Sequence, residues 1–380
     1  MKLSRRAWRR GAAGLALVLA AGLLLCLVGG QLPVLPRQTT PHLVGAFHLH
    51  SAASHDSRLT LAELVAQARQ LGLDFLVLTD HNAQPPAPPE LNGVTLLSFA
   101  ELSTRFGHTV QFGATSLLPA WDRDDLQVHA RVRAAGGSSW VTHPSDRKRP
   151  WNGPWEAAGG LEIANFASAA RRAAEPLYLG ILPVVMAYPL NPGRALASLY
   201  DRDGAALALW DAHPDPAFVG LCGSDTHGWI DLGLNLRAWS LVVPMEGTHD
   251  GSPGGRGAAI ARALRAGQFY CSAGLYGLAP GLDFTAQAAD GRPLGGAGAS
   301  LPRAGLARLR VAHTLPAALP VQIVLRRSGQ EVARSSAAEL LYANPTAGTY
   351  RVEVSARVPR LLGGTRWLEI MYSNRLRVLP

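Results

Sequence analysis

The chain has 380 residues, 48% hydrophobic and 17% charged, which is too apolar for a disordered protein and long enough for two domains or one large barrel with an appendage. Three cysteines cannot build a disulfide framework, which excludes a small secreted scaffold. The net charge of +9 is no nucleic-acid signal: Lys2, Arg5, Arg6, Arg9 and Arg10 supply five of its units before any acidic residue, and no basic stripe interleaved with aromatics follows.

Gly11 to Gly30 runs for twenty residues without a charge. As a helix rising about 1.5 Å per residue it would just span a hydrocarbon core of about 30 Å. The sequence therefore predicts a single-pass signal anchor over residues 11–30, behind a basic cytoplasmic flank at 1–10. Residues beyond 31 would then lie outside the cytoplasm, tied to the membrane through this transmembrane helix. The alternative is a cleaved signal peptide and a secreted product, although such apolar cores are usually shorter, about 7–15 residues. Leu25 before Cys26 argues against a lipoprotein signal. Pro33, Pro36 and Pro41 make residues 31–42 a stiff linker.

From residue 43 onward, short apolar runs alternate with helical stretches in the manner of βα units. Strands are predicted at 43–50, 75–81, 94–102, 108–114, 138–143, 161–166 and 217–225. A helix is predicted over 59–71, where Leu61, Leu64, Val65 and Ala68 fall at helical spacing and Gly72 ends the run. After about residue 275, alternating apolar and polar segments separated by Gly and Pro predict a β-sandwich over residues 276–380. Cys222 and Cys271 lie in apolar strands and read as core, with no disulfide predicted.

Five of the predicted strands end in, or lead straight into, a side chain that can bind a metal. His48 and His50 sit two apart on a strand and so share a face. Twelve histidines in this length give roughly 0.4 such pairs by chance, so the pair alone decides little. Asp56 follows on the next loop. Asp80 and His81 end the second strand, Glu101 ends the third, and His108, His143, Asp225 and His227 come later. Each has an ordinary reading taken singly: Asp80 as a helix cap, His143 as a hydrogen-bonded core imidazole, Asp225 as a turn residue. Gathered at the strand ends of one barrel face, such groups must bind cations or bear heavy repulsion and desolvation.

His48-Leu-His50-Ser, Ser54-His55-Asp56-Ser, Leu78-Thr-Asp80-His81-Asn82, Glu101, His143-Pro and Gly223-Ser-Asp225-Thr-His227 resemble, in order and spacing, the successive motifs of the PHP domain, the polymerase and histidinol phosphatase superfamily. The resemblance covers about residues 43–275. It implies an α/β fold, a distorted barrel of seven βα units, with a metal cluster at the strand ends, usually of three ions, and phosphoester hydrolysis as the commonest activity. One ion would sit on His48, His50, Glu101 and Asp225. A second would take Glu101 as a bridge with His108 and His143, and a third Asp56, His81 and His227. The loop after His50 is one residue longer than the common form, so His55 could replace or support Asp56. Asp80 is expected to orient a neighbouring imidazole.

Histidine and carboxylate ligands without Cys suit Zn, Mn or Fe. Two ions about 3.5–4 Å apart would generate a bridging hydroxide as nucleophile, so no separate catalytic residue is needed. Arg105, Arg147 and Arg171 follow ligand-bearing segments and are candidates to grip a substrate phosphate. The resulting expectation is a membrane-anchored metal-dependent phosphoesterase acting on a small phosphorylated substrate. The rivals are a metal-dependent hydrolase of an amide or lactone and a non-catalytic envelope binding module.

Overall fold

The computed structural model describes residues 11–17, 19–20, 42–175, 181–244, 252–276, 281–361 and 363–380. The expected basic flank, residues 21–30 of the expected anchor and almost all of the linker lie outside them. Residues 11–17 and 19–20 are helical. Among the described residues no helix is long and apolar enough to cross a membrane, so the single-pass anchor and the localisation built on it are not supported.

The strand expectations map closely onto β1 (His42–Leu49), β2 (Phe75–His81), β4 (Val94–Thr104), β5 (Gly107–Phe112), β6 (Ser138–Val141), β7 (Gly160–Asn165) and β8 (Val219–Gly223). These strands are almost wholly buried, as a sheet with both faces covered requires. Between β1 and β2, helix α1 (Leu61–Leu71) starts two residues later than expected. Thr60 and Glu63 close a reciprocal capping box there, and Gly72 ends the helix at φ 69°. Leu64, Val65 and Ala68 form its buried face.

The barrel expectation is corrected. β1, β2 and β4 are parallel neighbours, as are β6, β7 and β8, but β5 runs antiparallel to both β4 and β6. On the other side of β1 lies antiparallel β9 (Ser240–Pro244), where a closing parallel strand would have to pair. Just past β8 the chain meets the end of β1 in the isolated bridge Leu49–Thr226, and among the described residues no ladder of β8 with β1 closes a barrel. The product, among the described residues, is an open, mixed sheet of 16 strands.

The separate sandwich is corrected as well. β10 (Tyr270–Ser272) pairs with β9 on one edge and with β19 (Thr365–Ser373) on the other, which makes the C-terminal strands part of the same sheet. Only β11 (Leu282–Gln287), β12 (Pro293–Gly296), β14 (Arg308–His313) and β17 (Glu339–Ala343) form a second sheet. A buried charge network reinforces the junction. Arg351 pairs with Asp211 (2.6 Å) and Glu353 (2.8 Å), while Arg202 reaches Glu353 (3.0 Å) and Glu369 (2.8 Å). Removing one member would strand a buried charge, so the network holds the two regions in register.

Cys222 of β8 and Cys271 of β10 form a disulfide, their Cα atoms 5.9 Å apart, which the sequence reading did not foresee. It ties the strand leading into Asp225 to the strand that joins the C-terminal part of the sheet. Replacing both cysteines with Ala should lower stability by up to about 4 kcal/mol on the loop-entropy account. Urea unfolding of the variant beside the oxidised protein measures this, and coincident midpoints would refute it.

Candidate metal centre

Every candidate ligand comes from the same edge of the sheet. Parallel β1, β2 and β4 deliver His48, His50, His81 and Glu101 at their C-terminal ends. β5 runs the other way, so its second residue, His108, reaches that edge from the strand's start. His143 lies just past β6, and Asp225 and His227 just past β8.

The backbone is bent to achieve this. His48, His143 and Asp225 all have positive φ (67°, 32° and 56°), a conformation that costs of order 1–3 kcal/mol for such residues and persists where surrounding structure enforces it. At His48 the β1–β2 register slips, from Phe47 opposite Val77 to Leu49 opposite Leu78. The two histidines thus converge, ring centroids 5.2 Å apart, through a bulge rather than through plain strand alternation. Hydrogen bonds from Ser224 N to Phe47 O (3.2 Å), Thr226 N to His48 O (3.1 Å) and His50 N to Thr226 O (3.0 Å) lock the end of β8 onto this bend.

Glu101 is the centre. Fully buried, its carboxylate lies 3.3 Å from His48 Nε2, 3.5 Å from His50 Nε2, 3.1 Å from His81 Nδ1, 3.3 Å from His108 Nδ1 and 3.2 Å from His143 Nε2. Thr142 Oγ1 donates to it at 2.6 Å. Asp225 Oδ1 forms a second focus, 3.5 Å from His48 Nε2 and 3.4 Å from His50 Nε2. Asp56 is the third, 3.4 Å from His81 Nε2 and 3.2 Å from His227 Nε2. Burial grades from complete at His48, His50 and Glu101 to 31% exposed at Asp56, which separates a floor from a mouth.

All nine predicted ligand positions therefore meet in one cluster. Within it, sets of one atom per residue lie no more than 4.8 Å apart: His50, Asp56, His81 and His227; His48, His50 and Glu101; His48, His143 and Asp225; His81, Glu101 and His108. This grouping differs from the implied one by placing His143 with Asp225 and His81 with His108. Seven of the nine present a buried atom with no hydrogen-bond partner: His48 Nε2, His50 Nε2, Asp56 Oδ1, His81 Nδ1, Glu101 Oε2, His108 Nδ1 and His143 Nδ1. Orphaned buried polar atoms in such number are costly unless a cation supplies the missing interaction, so the ligand set fits divalent metal.

The other predicted residues take varied places. His55 is 77% exposed at the mouth, 3.9 Å from Asp56, and stands apart from the inner ring. Asp80 holds no imidazole. It accepts from Ser51 N (2.6 Å) and Ser51 Oγ (2.9 Å), which fixes the chain leaving His50. Arg105 stacks on Phe106 at 4.7 Å, and Arg147 pairs with Glu175 on the surface. Only Arg171 reaches the cluster, with Nε on Asp146 (2.7 Å) and Nη2 on Asp225 Oδ2 (3.2 Å).

Sequence reasoning missed Glu162. Buried in β7, it accepts from His48 Nδ1 at 2.8 Å and from His143 N at 2.7 Å. The signal was there, an acidic residue on the inner positions of the apolar run Leu161–Asn165, but nothing in the chain's order ties it to His48, 114 residues away.

Protonation follows the same geometry. Burial opposes charge on His48, but the carboxylates of Glu162, Glu101 and Asp225 overcome it and hold the imidazole well above the ordinary histidine value. His143 is likewise raised, burial being outweighed by Glu101. Burial pushes His50 down, and it takes His81 down to about 4. Despite burial, the surrounding imidazoles keep Glu101 and Asp225 well below the carboxylate range.

No family model and no curated protein matches the chain. Among solved structures, the crystal structure of an engineered protein is similar at 12% identity and a TM-score of 0.18, over 81% of this chain and 49% of its own length. The chain thus spans about half of that protein, and a likeness so slight carries no argument. What stands is a buried histidine–carboxylate cluster compatible with a PHP-type metal site.

Metal binding must displace protons from His48 and His143. Affinity should rise with pH toward their raised values and fall as pH drops below neutrality. Calorimetry in two buffers of different ionisation enthalpy should detect the released protons, whereas pH-independent affinity would contradict the assignment. Glu101→Gln should deplete bound metal far more than His55→Ala, as measured by elemental analysis.

Proposed function

We propose that the protein is a metal-dependent phosphoesterase of the PHP type, with residues 43–275 carrying the chemistry and a small phosphorylated compound as substrate. The observation that carries this reading is the convergence of nine imidazole and carboxylate side chains, most with an orphaned buried atom, beside one half-exposed arginine. His48, His50, Glu101 and Asp225 would hold one ion, with His108 and His143 sharing Glu101, and Asp56, His81 and His227 nearer the mouth. Divalent ions there supply Lewis acidity, which lowers the pKa of water toward neutrality and neutralises charge on a phosphoryl group.

The chain's own residues orient and bind. Asp146 accepts from Ser168 Oγ (2.6 Å), Lys148 N (2.8 Å) and Arg171 Nε (2.7 Å), and so anchors the guanidinium at the rim. Arg171 remains 42% exposed, free to present further N–H donors to an anion arriving over Asp225. Thr142 steadies Glu101 from below. The buried floor at His48, His50 and Glu101 strengthens each of these electrostatic contacts.

A panel of phosphomonoesters and phosphodiesters run beside lactones and amides, on metal-loaded protein, tests the reaction class. Phosphate release that is lost in His48→Ala and in Glu101→Gln is expected, and turnover confined to carbonyl substrates would replace this reading with its hydrolytic rival. Arg171→Met should raise KM roughly ten- to a hundredfold, the scale of a lost charge-assisted hydrogen bond, with less effect on kcat. Arg147→Met should leave both unchanged.

A further inference from the structure

We infer that Glu162 is a positioning residue that fixes the tautomer of His48 and joins the metal cradle to the helix bearing Arg171. The inference rests on the metal-centre reading above. Glu162 Oε1 accepts from His48 Nδ1 at 2.8 Å, so that in the neutral imidazole Nε2 is the lone-pair nitrogen, facing Glu101 and Asp225. Its other oxygen accepts from His143 N (2.7 Å) and from Asn165 Nδ2 (2.9 Å). Asn165 in turn caps helix α4 (Phe166–Ala173) by accepting from Ser168 N at 2.9 Å. One carboxylate thus serves His48 on β1, the positive-φ turn at His143 and the N-terminus of the helix that carries Arg171.

The packing leaves this group no freedom. Glu162 is 1% exposed, and a Cβ on Gly223 would collide with its Oε1 and lie 2.8 Å from His48 Cβ. Gly223 therefore permits the close approach of β7, β8 and the β1 bulge. Glu162 faces three N–H donors and no ion position of its own, which is what a positioning carboxylate requires and a ligand does not.

Glu162→Gln separates orientation from shape. If its amide oxygen turns to the two donors at His143 and Asn165, its NH2 faces His48 Nδ1. His48 must then carry its proton on Nε2, the atom aimed at the cluster. Turned the other way, the NH2 opposes both donors. Zinc affinity and stoichiometry, measured by chelator competition and elemental analysis on the full chain, should show roughly a 10- to 100-fold weakening with an unfolding midpoint close to wild type. Glu162→Ala should also bind weakly, with lower stability. The double variant Glu162→Gln/Asn165→Asp offers the amide an acceptor while still capping α4, and should recover part of the lost affinity, an outcome that loss of packing alone does not produce. Wild-type affinity in Glu162→Gln, or no recovery in the double variant, overturns the inference while leaving the metal centre intact. A wild-type protein that binds no divalent ion overturns the metal-centre reading and this inference with it.

Discussion

Five imidazoles press against the carboxylate of Glu101, which is fully buried. A buried carboxylate alone would cost several kcal/mol, and so would each imidazolium set beside another. Together they are tolerable only as an alternating set of charges or as the shell of a cation. The carboxylates raise His48 and His143 above the ordinary histidine value against the pull of burial, while burial lowers His50 and His81. The surrounding architecture can be read as what it takes to keep these groups within reach of one another.

That effort is visible in the backbone. Three candidate ligands occupy left-handed conformations, β1 carries a bulge at His48, and the end of β8 is pinned to it by three main-chain hydrogen bonds. The disulfide between β8 and β10, together with the arginine–carboxylate network at Arg351 and Arg202, extends the rigid region into the C-terminal strands. Strain at the site is thus met by covalent and ionic restraint around it, at the edge where preorganised ligands matter most.

The cluster also has a direction. Its floor is buried, its mouth lies at Asp56 and His227, and Arg171 stands beside Asp225 as a cation at the rim. Asp146, Ser168 and the cap at Asn165 fix that guanidinium, and Glu162 links the same cap to His48. Arg171 and the candidate ligands therefore share one hydrogen-bonded frame.

Much of this was legible in the chain. Strand positions and the helix over Leu61–Leu71 follow from local periodicity, because an apolar run of a given spacing has few ways to be buried. The nine candidate ligands could be picked out for the same local reason, as polar groups terminating apolar strands. Pairings between distant segments were not legible. Whether β5 runs with or against its neighbours, whether β9 displaces a closing strand, whether β10 merges two sheets, and whether Cys222 finds Cys271 depend on contacts across long separations that leave no periodic trace. The expected anchor is not supported, because no helix among the described residues is long and apolar enough to cross a membrane. Glu162 illustrates the divide best: sequence marks it as an oddity in an apolar strand, and only the folded sheet, by bringing Gly223 close enough to clear its path, turns that oddity into the partner of His48.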